Sequence, residues 1–147
     1  MNNNPYLLDP DNNASVNEIE THHPSHYNQN KIEHWDYVYD LQYEYLLACA
    51  SKYVFRNRFK GTKQKDLDKV IEYTNKYIKQ HKFDDTLMKF MGEPRKYTFF
   101  DMKDLLTELN QTELDVLANI DRLSICKSKS KAKEIVKDII NYVEKLR

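Results

Sequence analysis

The chain has 147 residues, 40% of them hydrophobic, and 23 basic side chains balanced by 23 acidic ones. That length supports one buried core plus a tail rather than two independent domains. With only two glycines, Gly61 and Gly92, the chain excludes a Walker loop and a GxGxxG dinucleotide fingerprint, which each need several, and its zero net charge argues against a nucleic-acid partner.

Residues 1–22 combine Asn, Asp and Pro with little apolar periodicity, and the first 30 residues carry four acidic and no basic side chains. A flexible acidic tail is expected there, followed by a single helical domain over 23–147. The N-terminus lacks the basic start and apolar stretch of a signal peptide, and no run approaches the about 18 apolar residues of a membrane span. A soluble, cytoplasmic protein without membrane association follows as the expectation. His22, His23 and His26, with His34 nearby, could in principle hold zinc. Pro24 and the absence of helical pattern remove the two-ligands-on-one-face logic, so no zinc is expected, and His26 is read as a hydrogen-bonding residue near a ligand.

Trp35, Val38 and Tyr39 fall at helical spacing within Ile32 to Leu41 and predict a short first helix. The second, about 43–58, carries Tyr45, Leu46, Cys49, Ala50 and Tyr53 as its apolar stripe and ends at Gly61, where positive φ is cheap. A third, about 63–81, repeats Leu67, Val70, Ile71, Thr74, Tyr77 and Ile78 at threes and fours, with Thr62 placed to cap its first N–H groups and Asp66 in its first turns. Gly92 and Pro94 then break the pattern in DDTLMKFMGEPRKY. Thr98 and Asp101 predict a capping box for a helix over 99–109. Thr112 is read as the cap of the next helix, with Leu114, Leu117, Ala118 and Ile120 or Leu123 on its apolar side, and a final helix starts at Ser130 with Ile135, Val136, Ile139, Ile140, Val143 and Leu146 on one stripe. No strand alternation occurs, so the fold class is all-α with five or six helices around the hairpin 43–58 and 63–81. Cys49 and Cys126, 77 positions apart, are read as thiols in apolar or helical settings rather than as a disulfide.

Charge is concentrated at that hairpin. Residues 52–82 hold ten Lys or Arg against three Asp or Glu, whereas residues 83–123 hold five against nine. Oppositely charged stretches and two apolar C-terminal helices predict a homo-oligomer. Lys52 and Arg56 project together from the second helix beside its apolar stripe, next to Tyr45, Cys49 and Phe59. Asp66, Lys69, Tyr73 and Lys76 form a polar face of the third helix, and its N-terminus adds backbone donors beside Lys60, Thr62 and Lys63. Brought together by the hairpin, these groups suit a phosphate-rich ligand. The same residues admit a plainer role, in which Lys52 and Arg56 pair with Asp66 to fix the hairpin and Tyr73 packs between helices.

The order of His26-Tyr27, Ile32-Glu33, Lys52-Tyr53 with Arg56, Lys60-Gly61, Asp66-Leu67 with Lys69, and Tyr73 resembles a family of small bacteriophage domains that are nucleotide-kinase-like, also labelled SaV-like. The likeness covers about residues 24–80. It departs at LLACAS, where a Gly- or Asn-containing stretch is common, and at Asp68, where Lys is more usual. The resemblance implies a phage nucleotide-binding protein of nucleoside monophosphate kinase type, passing a phosphoryl group from a triphosphate without a P-loop. On that reading Lys52 and Arg56 grip phosphates, Lys60 and Lys69 extend the cradle, and Asp66 or Glu33 holds Mg2+ through water or orients a hydroxyl. Tyr27, Tyr53 or Tyr73 then stacks on a base or bonds a ribose. The alternative is a non-catalytic binder that sequesters nucleotides or nucleotide signals of host defence. Nucleotide pyrophosphohydrolysis ranks lower, because the ExxE and ExxD pairs it needs are not intact, and DNA binding ranks lower still.

Overall fold

A computed structural model describes residues 30–59, 61–83 and 95–147. Six α-helices and no strand occur among the described residues: α1 (His34–Asp40), α2 (Tyr45–Arg56), α3 (Lys63–Gln80), α4 (Phe99–Met102), α5 (Gln111–Ser124) and α6 (Lys129–Leu146). The all-α expectation therefore holds. The acidic tail, the histidines at 22, 23 and 26, and the Gly92–Pro94 break lie outside the described residues.

Two helical hairpins make the body. α2 packs along α3 and α5 along α6, while α3–α6 and α2–α5 contacts join the pairs; α1 leans on α2, and α4 on α5. Between them lies one apolar cluster, with Leu47, Val54, Leu67, Val70, Val116, Leu117, Ile120, Ile139 and Val143 all out of contact with solvent. Its continuity makes burial of apolar area the main favourable contribution to the fold.

The core face of α2 differs from the expected stripe. Cys49 and Ala50 of that stripe are buried, together with Leu47, Ser51, Val54 and Phe55, whereas Tyr45 is 73% exposed and Leu46 and Tyr53 are half-buried. One residue of shift turns a helix face by about 100°. Tyrosine satisfies an apolar pattern on either side because its ring can pack while its hydroxyl stays wet. The result places the Tyr45 and Tyr53 rings on the side that carries Lys52 and Arg56.

Gly61 takes φ +66° between α2 and α3, the left-handed conformation that the sequence anticipated. Thr62 occupies the N-cap position of α3, but its side chain caps no N–H. Instead its hydroxyl points to the Phe59 carbonyl (3.2 Å) and to Asp66 Oδ2 (3.0 Å). Its single proton is shared between these two acceptors, which holds the hydroxyl on the Phe59 and Asp66 side of the turn.

The helix expected over 99–109 is shorter. Thr98 and Asp101 do form the capping box, but α4 ends at Met102 and a 3-10 turn follows over Lys103–Leu105. Long-range partners compete with the helical ladder there, since the Leu105 carbonyl accepts from Lys31 N (3.0 Å) and Glu108 N donates to Asn30 Oδ1 (2.8 Å). Asn110, not Thr112, caps α5, in a reciprocal box with Glu113. The last helix begins at Lys129 with Ser128 as its cap.

Candidate functional site

The outer side of the α2–α3 hairpin is built around two tyrosines. Tyr53 of α2 and Tyr73 of α3 stack with centroids 5.8 Å apart and planes 18° from parallel. Their positions follow from the paired helices, since each lies at the edge of its helix's buried face, where hairpin packing brings those edges together. Lys52 Nζ lies 4.9 Å and Arg56 Cζ 5.7 Å from the Tyr53 ring centre, both within cation–π range. One helical turn separates the two cations, and both reach the same ring.

Tyr45 and Lys69 complete the edge of this patch. The Tyr45 phenol is pushed up chiefly by its hydrogen bond to the Cys49 thiol, with Tyr73 and Tyr53 as further electrostatic neighbours. Lys69 is raised chiefly by its hydrogen bond to Glu72, 3.1 Å away, and it too feels Tyr73 and Tyr53. Its ammonium is therefore held on Glu72 beside the aromatic patch.

Asp66 does not join an exposed polar face, as its spacing with Lys69 and Tyr73 suggested. It is 3% exposed, with Oδ1 3.3 Å from Arg56 Nε and Oδ2 accepting from Thr62. Both oxygens are therefore committed inside the hairpin. The N-terminal end of α3 already receives this carboxylate in its first turns, the position where a helix favours negative charge. The plainer role for the Arg56–Asp66 pair is thus realised, and Arg56 keeps its other face toward Tyr53.

Glu33 occupies the N-cap position of α1, where its carbonyl accepts from Tyr37 N at 3.0 Å. The next residue, His34, rests on α2 with Nε2 2.8 Å from Ser51 Oγ. Lys52 helps to depress the His34 pKa, so the segment carrying Glu33 approaches the turn of α2 that holds Lys52. His26, Tyr27 and Lys60 lie outside the described residues.

Two polar centres escaped the reading of the sequence. Glu113, 1% exposed, accepts from Asn57 Nδ2 (2.6 Å) and from Asn110 N (2.9 Å), with Arg58 3.9 Å away. Asp121 gathers Arg95, Tyr43 Oη and Phe99 N. The Asn110–Glu113 spacing could have flagged the first as a capping box. Nothing local marks the second, whose partners come from three other segments. Cys49 is buried and Cys126 half-buried, and both are free thiols.

No helix among the described residues is long and apolar enough to cross a membrane. No curated protein and no solved structure matches the chain. The family model of a protein of unknown function, DUF3310, matches residues 21–75, a span that contains Lys52, Tyr53, Arg56, Asp66 and Tyr73.

Proposed function

We propose that the outer side of the α2–α3 hairpin binds a nucleotide, and that the chain is a phage nucleotide-binding protein of the kinase-like type its motifs resemble. The observation that carries this reading is the Tyr53–Tyr73 stack flanked by Lys52 and Arg56. Cations beside a half-buried aromatic pair offer charge for phosphate and a ring surface for a base or sugar. Neither group needs the glycine loop that the chain lacks.

Holding the nucleotide is better supported than turning it over. Asp66 is buried and engaged through both oxygens, so it is poorly placed to hold a metal or accept a substrate proton. Sequestration of nucleotides or of nucleotide signals in host defence fits this arrangement. Phosphoryl transfer is the second reading, favoured by Glu33, which stands one residue from the histidine that Lys52 influences. Mg2+ bound with the nucleotide would serve that reaction.

Both readings are tested by incubating the protein with each common nucleoside monophosphate, ATP and Mg2+, chromatographing the products, and titrating the same nucleotides calorimetrically. Binding without product supports sequestration, and product supports the kinase. Absence of both overturns the proposal and leaves a structural hairpin. Lys52→Ala is expected to weaken binding about tenfold with little change in melting temperature. Arg56→Ala should weaken it by about 1.5–3 kcal/mol and also lower stability, because Asp66 then loses its charged partner inside the hairpin.

A further inference from the structure

A concave surface lies away from the hairpin, between the later turns of α5 and α6. It is an open groove of about 370 Å3 lined by Asn119, Arg122, Asp138, Asn141, Tyr142 and Lys145. That volume falls in the range of small-molecule sites.

Arg122 is prepared for an anion. Its Nη1 donates to Asn119 Oδ1 at 2.6 Å and lies 3.7 Å from Asp138 Oδ2. Asn119 is in turn buried and held through Nδ2 to the Asp115 carbonyl at 2.8 Å. One nitrogen of the guanidinium thus anchors it to a fixed amide, and Nε and Nη2 have no partner among the described residues. That pair of donors matches two oxygens of one anionic group. Lys145 Nζ, 4.8 Å from the Tyr142 ring centre, adds a second positive charge on the other wall.

The remaining groups narrow the ligand. Asp138 repels an anion that fills the groove and favours hydroxyl donors, while the Asn141 amide can donate and accept. The half-buried Tyr142 ring, with Lys145 over it, adds an apolar wall against which the C–H side of a sugar can lie. We propose that this groove binds a phosphorylated sugar, with the phosphate on Arg122 and Lys145 and the hydroxyls on Asp138 and Asn141. The sugar phosphate could be free or part of a nucleotide. Because the groove shares no residue with the hairpin, the inference does not depend on nucleotide binding there.

The test is a site-resolved NMR titration of the full chain with ribose 5-phosphate, a nucleoside monophosphate and inorganic phosphate. Backbone shifts at Asn119, Arg122, Asn141 and Tyr142 report the groove, and shifts at Lys52, Tyr53 and Tyr73 report the hairpin, so the two sites succeed or fail separately. Saturable groove shifts are expected with ribose 5-phosphate or with the nucleotide, the stronger of the two identifying the source, and inorganic phosphate should bind at least tenfold more weakly. Arg122→Gln and Asn141→Leu, at exposed positions, should each reduce affinity about tenfold or more with unchanged circular dichroism. Absence of groove shifts at millimolar ligand, equal binding of inorganic phosphate, or wild-type affinity in both variants would overturn the proposal.

Discussion

His34 illustrates how one contact sets a residue's chemistry. Ser51 gives its hydroxyl proton to the Ala48 carbonyl (2.8 Å), so the 2.8 Å contact with His34 has the imidazole Nε2–H as donor. The ring also meets Phe55 edge-on at 4.9 Å. Burial first, and the Lys52 ammonium second, lower its pKa from 6.5 to about 4. The unfolded chain therefore takes up this proton more readily than the folded one. Stability is complete above the unfolded value, falls as pH drops from 6.5 toward 4, and levels off once both states are protonated. The loss should reach about 2–3 kcal/mol. Urea unfolding at pH 7 and pH 4.5 measures it as the difference between wild type and His34→Gln, which cancels the carboxylates that titrate in both. A variant as pH-sensitive as wild type would show that His34 does not carry the effect. The sequence displayed this histidine only as a neighbour of the His22–His26 string, because its partner lies 17 positions on.

Helices with a long unbroken apolar repeat were legible from their residues. α3 buries Leu67, Val70, Thr74, Tyr77 and Ile78 as its period requires, and α6 does the same with Ile135, Val136, Ile139, Val143 and Leu146. Periodicity failed where side chains were ambiguous, as with the tyrosines of α2, and where distant backbone groups intervened, as at the end of α4. Cap positions were legible in part, since the Thr98–Asp101 box forms as its spacing requires but the cap of α5 lies elsewhere. Thr112 and Asn110 both precede an apolar run, but only Asn110 stands three residues before Glu113, whose side chain returns to the Asn110 N–H at 2.9 Å while Asn110 Oδ1 accepts from Glu113 N at 2.8 Å. Asn110→Ala is accordingly expected to cost about 1 kcal/mol or more, and Thr112→Ala no more than about 0.5 kcal/mol. Thermal or urea unfolding of the two variants compares them directly. A larger loss for Thr112→Ala would return the cap to the position first read from the sequence.

At the scale of the molecule, polar side chains fix how the two hairpins meet. Asn57 at the end of α2 reaches Glu113 at the start of α5, and Arg147 bonds Gln64 and Asp68 at the start of α3. These partners are 56, 83 and 79 positions apart, so no local spacing could reveal them, and the candidate site was legible only as a set of residue types on two adjacent helices. Burial separates the contacts that matter for stability from those that do little. Asp121 accepts from Arg95 Nη1 (2.8 Å) and Nη2 (3.1 Å), Tyr43 Oη (3.0 Å) and Phe99 N (3.2 Å), while Tyr43 in turn accepts from Tyr37 at 3.1 Å. Burial raises both phenols well above their ordinary range, which keeps them neutral donors at physiological pH. Asp121→Asn replaces one acceptor oxygen with an N–H2 group facing donors and leaves Arg95 without its charge partner. A loss of about 3–5 kcal/mol is expected. Arg147 instead meets Asp68 at the surface, where solvent screens the pair, and Arg147→Ala should cost no more than about 1 kcal/mol. Urea unfolding of both variants at pH 7 decides between this ordering and one in which the surface clasp dominates. A small effect of Asp121→Asn beside a large one of Arg147→Ala would mean that the clasp between α3 and the end of α6 contributes more to stability than the buried cluster joining α1, α4 and α5.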